Sequence, residues 1–280
     1  MKWQGRRGSR NIEDRRRAPG GAMIGGGGIG IVAIALLVWA LGGDPMAVLE
    51  QSSTGQSSGG EITQADEEAA QFVSVVLADT EEIWADIFQE QVGQAYLPTT
   101  LVLFKGSTLS GCGGANAMTG PFYCPVDKKV YLDTDFFATM SQQLGAQGDF
   151  AAAYVVAHEV GHHVQDLLGI LNQTTQLRQR VNEAESNAIS VRVELQADCL
   201  SGIWANRASA KFGSIERGDI AEAMNAAERI GDDTLQRNAG RTPMPDSFTH
   251  GTSEQRQHWF AQGYESSQIA NCDTFSTNNL

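Results

Sequence analysis

The stretch Phe150-Ala151-Ala152-Ala153-Tyr154-Val155-Val156-Ala157-His158-Glu159-Val160-Gly161-His162 decides the reading of this chain. Its first eight residues are too apolar for a solvated face and predict a buried helix, which Asp149 can cap and Gly169 can stop. On a helix, residues four apart share a face, so His158 and His162 can direct one ring nitrogen each at a single cation, with Glu159 beside them. Two histidines and a glutamate at the end of a buried helix need partners. A catalytic zinc ion meets that need, because it takes three protein ligands and keeps a fourth position for water, whose pKa it lowers toward neutrality. Glu159 is then the candidate general base.

The third ligand is sought on a second apolar helix, predicted over Ser186 to Lys211 and ended by Gly213. It carries Glu194-Leu195-Gln196-Ala197-Asp198, two carboxylates four apart on one face. Leu195, Ala197, Cys199, Leu200, Ile203 and Trp204 mark this helix as mostly buried, so the pair is not an ordinary solvated surface. Glu194 is the candidate third ligand, completing a site for one zinc per chain. Asp198 is the candidate acceptor for the other ring nitrogen of a ligand histidine.

His163 follows His162 directly, but neighbouring helix residues point about 100° apart, so it reads as a core or rim histidine. Gln165 and Leu168 occupy the Gly and His places of H-E-x-x-H-x-x-G-x-x-H, which excludes a three-histidine site. Thr252 and Gln255 fit a capping box for a final helix. His250 stands on the loop just before it, where a donor can be presented to a developing oxyanion. His258, inside that helix, receives no functional role.

The 280 residues allow one sizeable domain with accessory segments. Residues 1–21 hold seven basic side chains against Glu13 and Asp14, and read as a cytoplasmic tail. Residues 22–43 are uncharged and apolar over 22 positions, matching the about 20 residues of a membrane span. The run exceeds the roughly 7 to 15 residues of a signal-peptide core, and Leu-Gly-Gly-Asp-Pro is a poor cleavage site, so an uncleaved single-pass anchor is expected. The basic flank then keeps the N-terminus in the cytoplasm and puts the rest in the periplasm or outside the cell. Residues 44–60 read as a flexible polar linker, and 61–280 as the folded domain.

Removing the tail's seven basic and two acidic side chains from totals of 20 and 33 leaves 13 and 31. So acidic a domain does not bind nucleic acid, and the tail suits anionic lipid headgroups. The four cysteines permit three pairings. Cys112 and Cys124 bracket a Gly-rich stretch and are read as closing it, which leaves Cys199 to pair with Cys272. No C-x-x-C spacing favours a cysteine zinc site.

Residues Ala65 to about Gln91 predict an amphipathic helix, and Leu101 to Phe104 and Val130 to Leu132 short strands. The expected fold is mainly α with a small β-sheet, an α+β domain without internal repeats.

These motifs resemble the bacterial neutral zinc metallopeptidases of the YpfJ-like family, nearly end to end. The resemblance rests on Lys2-Trp3-Gln4-Gly5-Arg6-Arg7 with Asn11-Ile12-Glu13-Asp14-Arg15-Arg16, on Gly120-Pro121-Phe122-Tyr123-Cys124-Pro125 with Val130-Tyr131-Leu132-Asp133, and on Ala157 to Gln165. Glu194 to Cys199 and Phe248-Thr249-His250-Gly251-Thr252 complete it. It implies a zincin-like domain of gluzincin type, with Glu194 as third ligand and Asp198 as orienting acid. It also implies a transition-state role for His250, ahead of Arg256 in the last helix, although Gly251 stands where related proteins carry proline. In this group an edge strand lines the cleft and pairs with extended substrate, and Val130-Tyr131-Leu132 is the candidate.

The function so implied is hydrolysis of a protein or peptide substrate by a membrane-anchored zinc metallopeptidase. Two alternatives stand beside it. One is a membrane-anchored zinc-binding assembly protein without peptidase activity, and the other a zinc hydrolase of a non-protein amide. An intact Glu159 speaks against the first, since a structural zinc site closes with four protein ligands and has no use for a base.

Overall fold

The computed structural model describes residues 1–17, 61–116, 120–142, 145–146, 148–216, 218–277 and 280. Helices dominate, with one small sheet and a hairpin, as the α+β expectation requires. Strands β1 (Ile12–Asp14), β2 (Thr100–Phe104), β5 (Phe122–Cys124) and β6 (Lys129–Asp133) form a sheet in the order β1-β2-β6-β5. The first three strands in that order are parallel, and β5 runs antiparallel to β6 along one edge. A hairpin of β3 (Ser107–Ser110) and β4 (Gly113–Asn116) stands apart.

Alternation along the strands sets the two faces of the sheet. Leu101, Leu103, Val130 and Leu132 join the main core with the helices, while Val102, Phe104 and Tyr131 pack with Ala115 of the hairpin and Cys124. The Cys112–Cys124 disulfide ties the hairpin turn to β5, and Cys199–Cys272 ties the chain's end to a helix, as the cysteine spacing suggests.

The main helices are α1 (Gln64–Ile87), α3 (Asp149–Leu167), α5 (Glu183–Phe212) and α8 (Ser253–Ser266). Shorter ones are α2 (Phe136–Gln142), α4 (Ile170–Arg178), α6 (Asp219–Arg229) and α7 (Asp232–Asn238). Local chemistry fixes their ends. Thr63 with Asp66, Asn182 with Glu185, and Thr252 with Gln255 each form a capping box, and left-handed Gly213 stops α5. Helix α3 begins differently from its sequence reading, because Gly148 takes the cap position and the Asp149 carboxylate lies 2.8 Å from the Met1 amine.

Helix α5 is held from two sides by close backbone approach. A Cβ on Gly161 of α3 would lie 3.1 Å from the Ala197 carbonyl oxygen of α5, and one on Gly263 of α8 only 1.8 Å from that of Cys199. These crossings bring α3 and α8 onto the segment of α5 that carries Glu194 and Asp198.

The N-terminal residues correct the topology expected from sequence. Residues 1–17 lie against the domain: β1 is hydrogen-bonded to β2, and Arg6 grips Asp79 through two bonds of 2.6 and 2.7 Å. Arg7 pairs with Glu82, while Arg16, buried, holds Asp14 and Glu67. Four of the seven basic side chains read as a lipid-facing tail, Arg6, Arg7, Arg16 and Arg17, pair instead with carboxylates of α1. A single membrane crossing would put residues 1–17 and 61–280 on opposite sides, which their packing forbids. Among the described residues no helix is long and apolar enough to cross a membrane, and the expected span over 22–43 lies outside them. The single-pass arrangement with a cytoplasmic N-terminus and an external domain is therefore overturned.

A second correction concerns the sheet edge. β6, which holds Val130 to Leu132, is paired on both sides, and all three residues are buried. Among the described residues the edge beside it belongs to β5, which pairs only with β6.

Gly263→Ala tests the α5–α8 crossing. Alanine would gain about 1 kcal/mol of helix propensity at an unconstrained site. Against the Cys199 carbonyl the clash dominates, and urea denaturation should show a net loss of about 1–3 kcal/mol. A variant as stable as wild type would contradict the crossing.

Candidate metal centre

The second half of α3 and the middle of α5 bring their donors to one point. His158 Nε2 lies 3.1 Å from Glu194 Oε2, and His162 Nε2 lies 3.5 Å from Glu194 Oε1. One donor atom from each of the three residues falls within 4.8 Å of the others. Ligands about 2.0–2.2 Å from a tetrahedral zinc stand at such mutual separations, and the two-imidazole, one-carboxylate donor set suits zinc with a fourth position open.

Behind His158 stands Asp198, fully buried, with an Oδ1 that lies 2.8 Å from His158 Nδ1. That oxygen also accepts from the Tyr154 hydroxyl and, at 2.9 Å, from Arg256, whose Nε donates to the other carboxylate oxygen at 2.8 Å. A carboxylate only accepts, so Nδ1 of His158 carries a proton, and once the ring is neutral its Nε2 offers the lone pair to the cation side. Burial opposes ionisation of Asp198, but Arg256 and His158 outweigh it and hold the carboxyl down at about 2. Burial likewise disfavours charge on His158, yet Asp198 and Glu194 raise it to about 10. The pocket draws in positive charge.

Glu159 is also buried, but its carboxylate makes no side-chain hydrogen bond among the described residues and faces a cleft of about 910 Å³. Tyr123 and Phe122 of β5, His158, His162, Glu194 and His250 line the same cleft. His250 is half exposed, and its Nδ1 lies 3.2 Å from Asp232 Oδ1. This hydrogen bond outweighs burial and raises the His250 pKa. Asp232 further accepts the backbone N–H groups of Thr249, His250 and Gly251, at 2.7, 2.6 and 3.0 Å, so it shapes the whole loop. His163 turns away, with Nε2 2.7 Å from the Leu97 carbonyl. His258 does not line the cleft.

Sequence reasoning misses Tyr154, Asp232 and Gln165. Tyr154 lies one turn before His158, so helical spacing could have found it. Asp232 opens a short helix remote in sequence from both motifs, and nothing local marks it. Gln165 lies one turn after His162 and accepts at 2.8 Å from that ring's Nδ1.

A histidine-bearing helix opposed by a carboxylate-bearing helix, on the floor of a cleft, is the donor arrangement of a zinc-hydrolase class of protein. Residues 1–275 match the profile of the family described as "Putative neutral zinc metallopeptidase", and the chain belongs to that family. It is 46% identical over 285 residues to the uncharacterized protein YpfJ of Escherichia coli, covering 98% of this chain and 99% of that one. It is 44% identical over 188 residues to the uncharacterized protein Rv2575 of Mycobacterium tuberculosis, covering 64% and 62%. No solved structure gives a significant match. The family implies zinc, and the donors above are the residues that fit it.

Zinc binding should release protons, since metal-bound imidazole is neutral and His158 stays protonated well below about 10. Calorimetry at pH 7.5 in buffers of different ionisation enthalpy should register release of about one proton or more. Affinity should rise as pH rises toward that value. A binding heat independent of buffer would contradict the assignment.

Proposed function

We propose that this protein is a zinc peptidase that hydrolyses peptide bonds with Glu159 as the proton-transferring group. The convergence of the His158, His162 and Glu194 donors on the cleft floor, with an unengaged Glu159 beside them, carries this reading. A zinc ion held by those three residues supplies, when bound, a Lewis acid for the scissile carbonyl and a water of lowered pKa. Glu159 accepts a proton from the attacking water and returns it to the leaving amine, which requires a carboxylate free to exchange hydrogen bonds during turnover. Among the described residues it has no fixed hydrogen-bond partner, which suits that task, whereas Asp198 is locked in place by Tyr154, His158 and Arg256.

His250 acts as a donor to the oxygen that gains charge. Asp232 orients its ring and favours its protonated form, and the ring lines the cleft with Glu194 and Glu159. Arg256 serves differently, because its guanidinium is consumed by Asp198 and Tyr154. The substrate is an extended polypeptide laid along the outer edge of β5, where backbone hydrogen bonds hold the chain irrespective of sequence.

Glu159→Gln should keep wild-type zinc content and lose about 10²–10⁴-fold in kcat against an unfolded protein substrate. Full activity in this variant would remove Glu159 from the reaction. His250→Ala should lower kcat by about 10²-fold with unchanged zinc content, and a change confined to KM would limit His250 to binding.

A further inference from the structure

The two ligand histidines are oriented by different means. His158 leans on a carboxylate, whereas Nδ1 of His162 faces an amide, Oε1 of Gln165 at 2.8 Å. An amide can present either end to a ring nitrogen, so its direction must be fixed from elsewhere. Gln165 is wholly buried, and its Nε2 donates to the Val193 carbonyl at 2.8 Å and to Gln196 Oε1 at 3.0 Å. Nε2 of Gln196 donates in turn to the Cys272 carbonyl at 2.9 Å. Both termini of this chain are backbone carbonyls, which only accept.

Reversing Gln196 would set its oxygen against the Cys272 carbonyl, and reversing Gln165 would do the same at Val193. The sense of every bond is thereby determined, so His162 donates from Nδ1, and its neutral ring presents the Nε2 lone pair on the cleft side. Cys272 is itself buried and bonded to Cys199 of α5, next to Asp198. The following residues are tied to the same helix, since Thr274 donates to the Arg192 carbonyl at 2.7 Å and Arg192 donates to the Thr277 carbonyl at 2.9 Å.

We propose that Gln165 and Gln196 are positioning residues that fix the metal-binding tautomer of His162, and that the Cys199–Cys272 disulfide raises zinc affinity by holding one of the two carbonyls that orient them. The inference rests on the zinc reading above. It makes the strength of the metal site sensitive to the redox state of a bridge that contributes no ligand.

The test is zinc affinity of the full chain, by competition with a chromogenic chelator. Gln165→Leu should weaken binding about 10–100-fold, the usual effect of losing a partner of a ligand histidine. Gln165→Glu keeps an oxygen for His162 Nδ1 and should stay within about threefold of wild type, although it loses both donors and folds less stably. Removing the bridge with Cys199→Ala and Cys272→Ala should weaken zinc several-fold in the wild-type background and leave affinity unchanged in Gln196→Leu, where the link to Cys272 is already cut. Equal affinity of wild type and Gln165→Leu, or equal weakening by Gln165→Leu and Gln165→Glu, would overturn the relay. An equal effect of bridge removal in both backgrounds would overturn the disulfide coupling. A wild-type protein that binds no zinc would instead overturn the zinc peptidase reading, and this inference with it.

Discussion

The buried carboxylate of Asp198 is the point on which the centre depends. It sits on α5 and receives hydrogen bonds from His158 and Tyr154 on α3 and from Arg256 on α8, so one side chain ties three helices together. Such a charge is tolerated inside a protein only while its partners stay in place, and removing one partner of a buried pair costs about 3–5 kcal/mol. The same bonds that make Asp198 tolerable set the tautomer and direction of His158. Stability and ligand geometry are thus properties of one network. Close backbone contacts at Gly161 and Gly263 make the network possible, because α3 and α8 could not reach α5 with larger residues there.

Around this core the sheet and the N-terminal residues have distinct tasks. Strands β2 and β6 are buried on both faces and form a rigid backing, while β5 leaves an edge at the cleft. β1 covers the opposite edge, and its neighbours Arg6, Arg7 and Arg16 meet carboxylates of α1. The excess of acid in residues 61–280 therefore has a local counterpart. Asp79, Glu82 and Glu67 face arginines of the same chain, and this pairing explains why so basic a segment and so acidic a domain belong to one fold.

Much of this was legible in the sequence because helical spacing carries it. The i, i+4 pairs at His158 and His162 and at Glu194 and Asp198 fix which face of each helix holds donors, and the apolar flanks show that those faces are buried. The capping box at Thr252 and the disulfide pairs are likewise local or countable signals. What was not legible is non-local. β1 is three residues long, two of them charged, and pairs with a strand more than 80 positions away, so neither periodicity nor composition marks it. The basic residues around it read equally well as a lipid-facing tail, and only their partners show otherwise. The edge role that the family resemblance implies for Val130 to Leu132 could not be checked in sequence, because strand residues do not record how many neighbours a strand has. Asp232, Gln165 and Gln196 act through side-chain hydrogen bonds, to Gly251, Val193 and Cys272 among others, that leave no pattern in the chain.

The proposed zinc ion has two imidazoles and one carboxylate as its protein ligands, with no sulfur, and the local structure around that ion is the most direct test. X-ray absorption at the zinc edge of the purified full chain should give nitrogen and oxygen scatterers at about 2.0–2.2 Å, with an outer-shell pattern from two imidazole rings. Replacing Glu194 with alanine should remove one oxygen and leave both rings. A sulfur scatterer near 2.3 Å, or a third imidazole, would contradict the assignment.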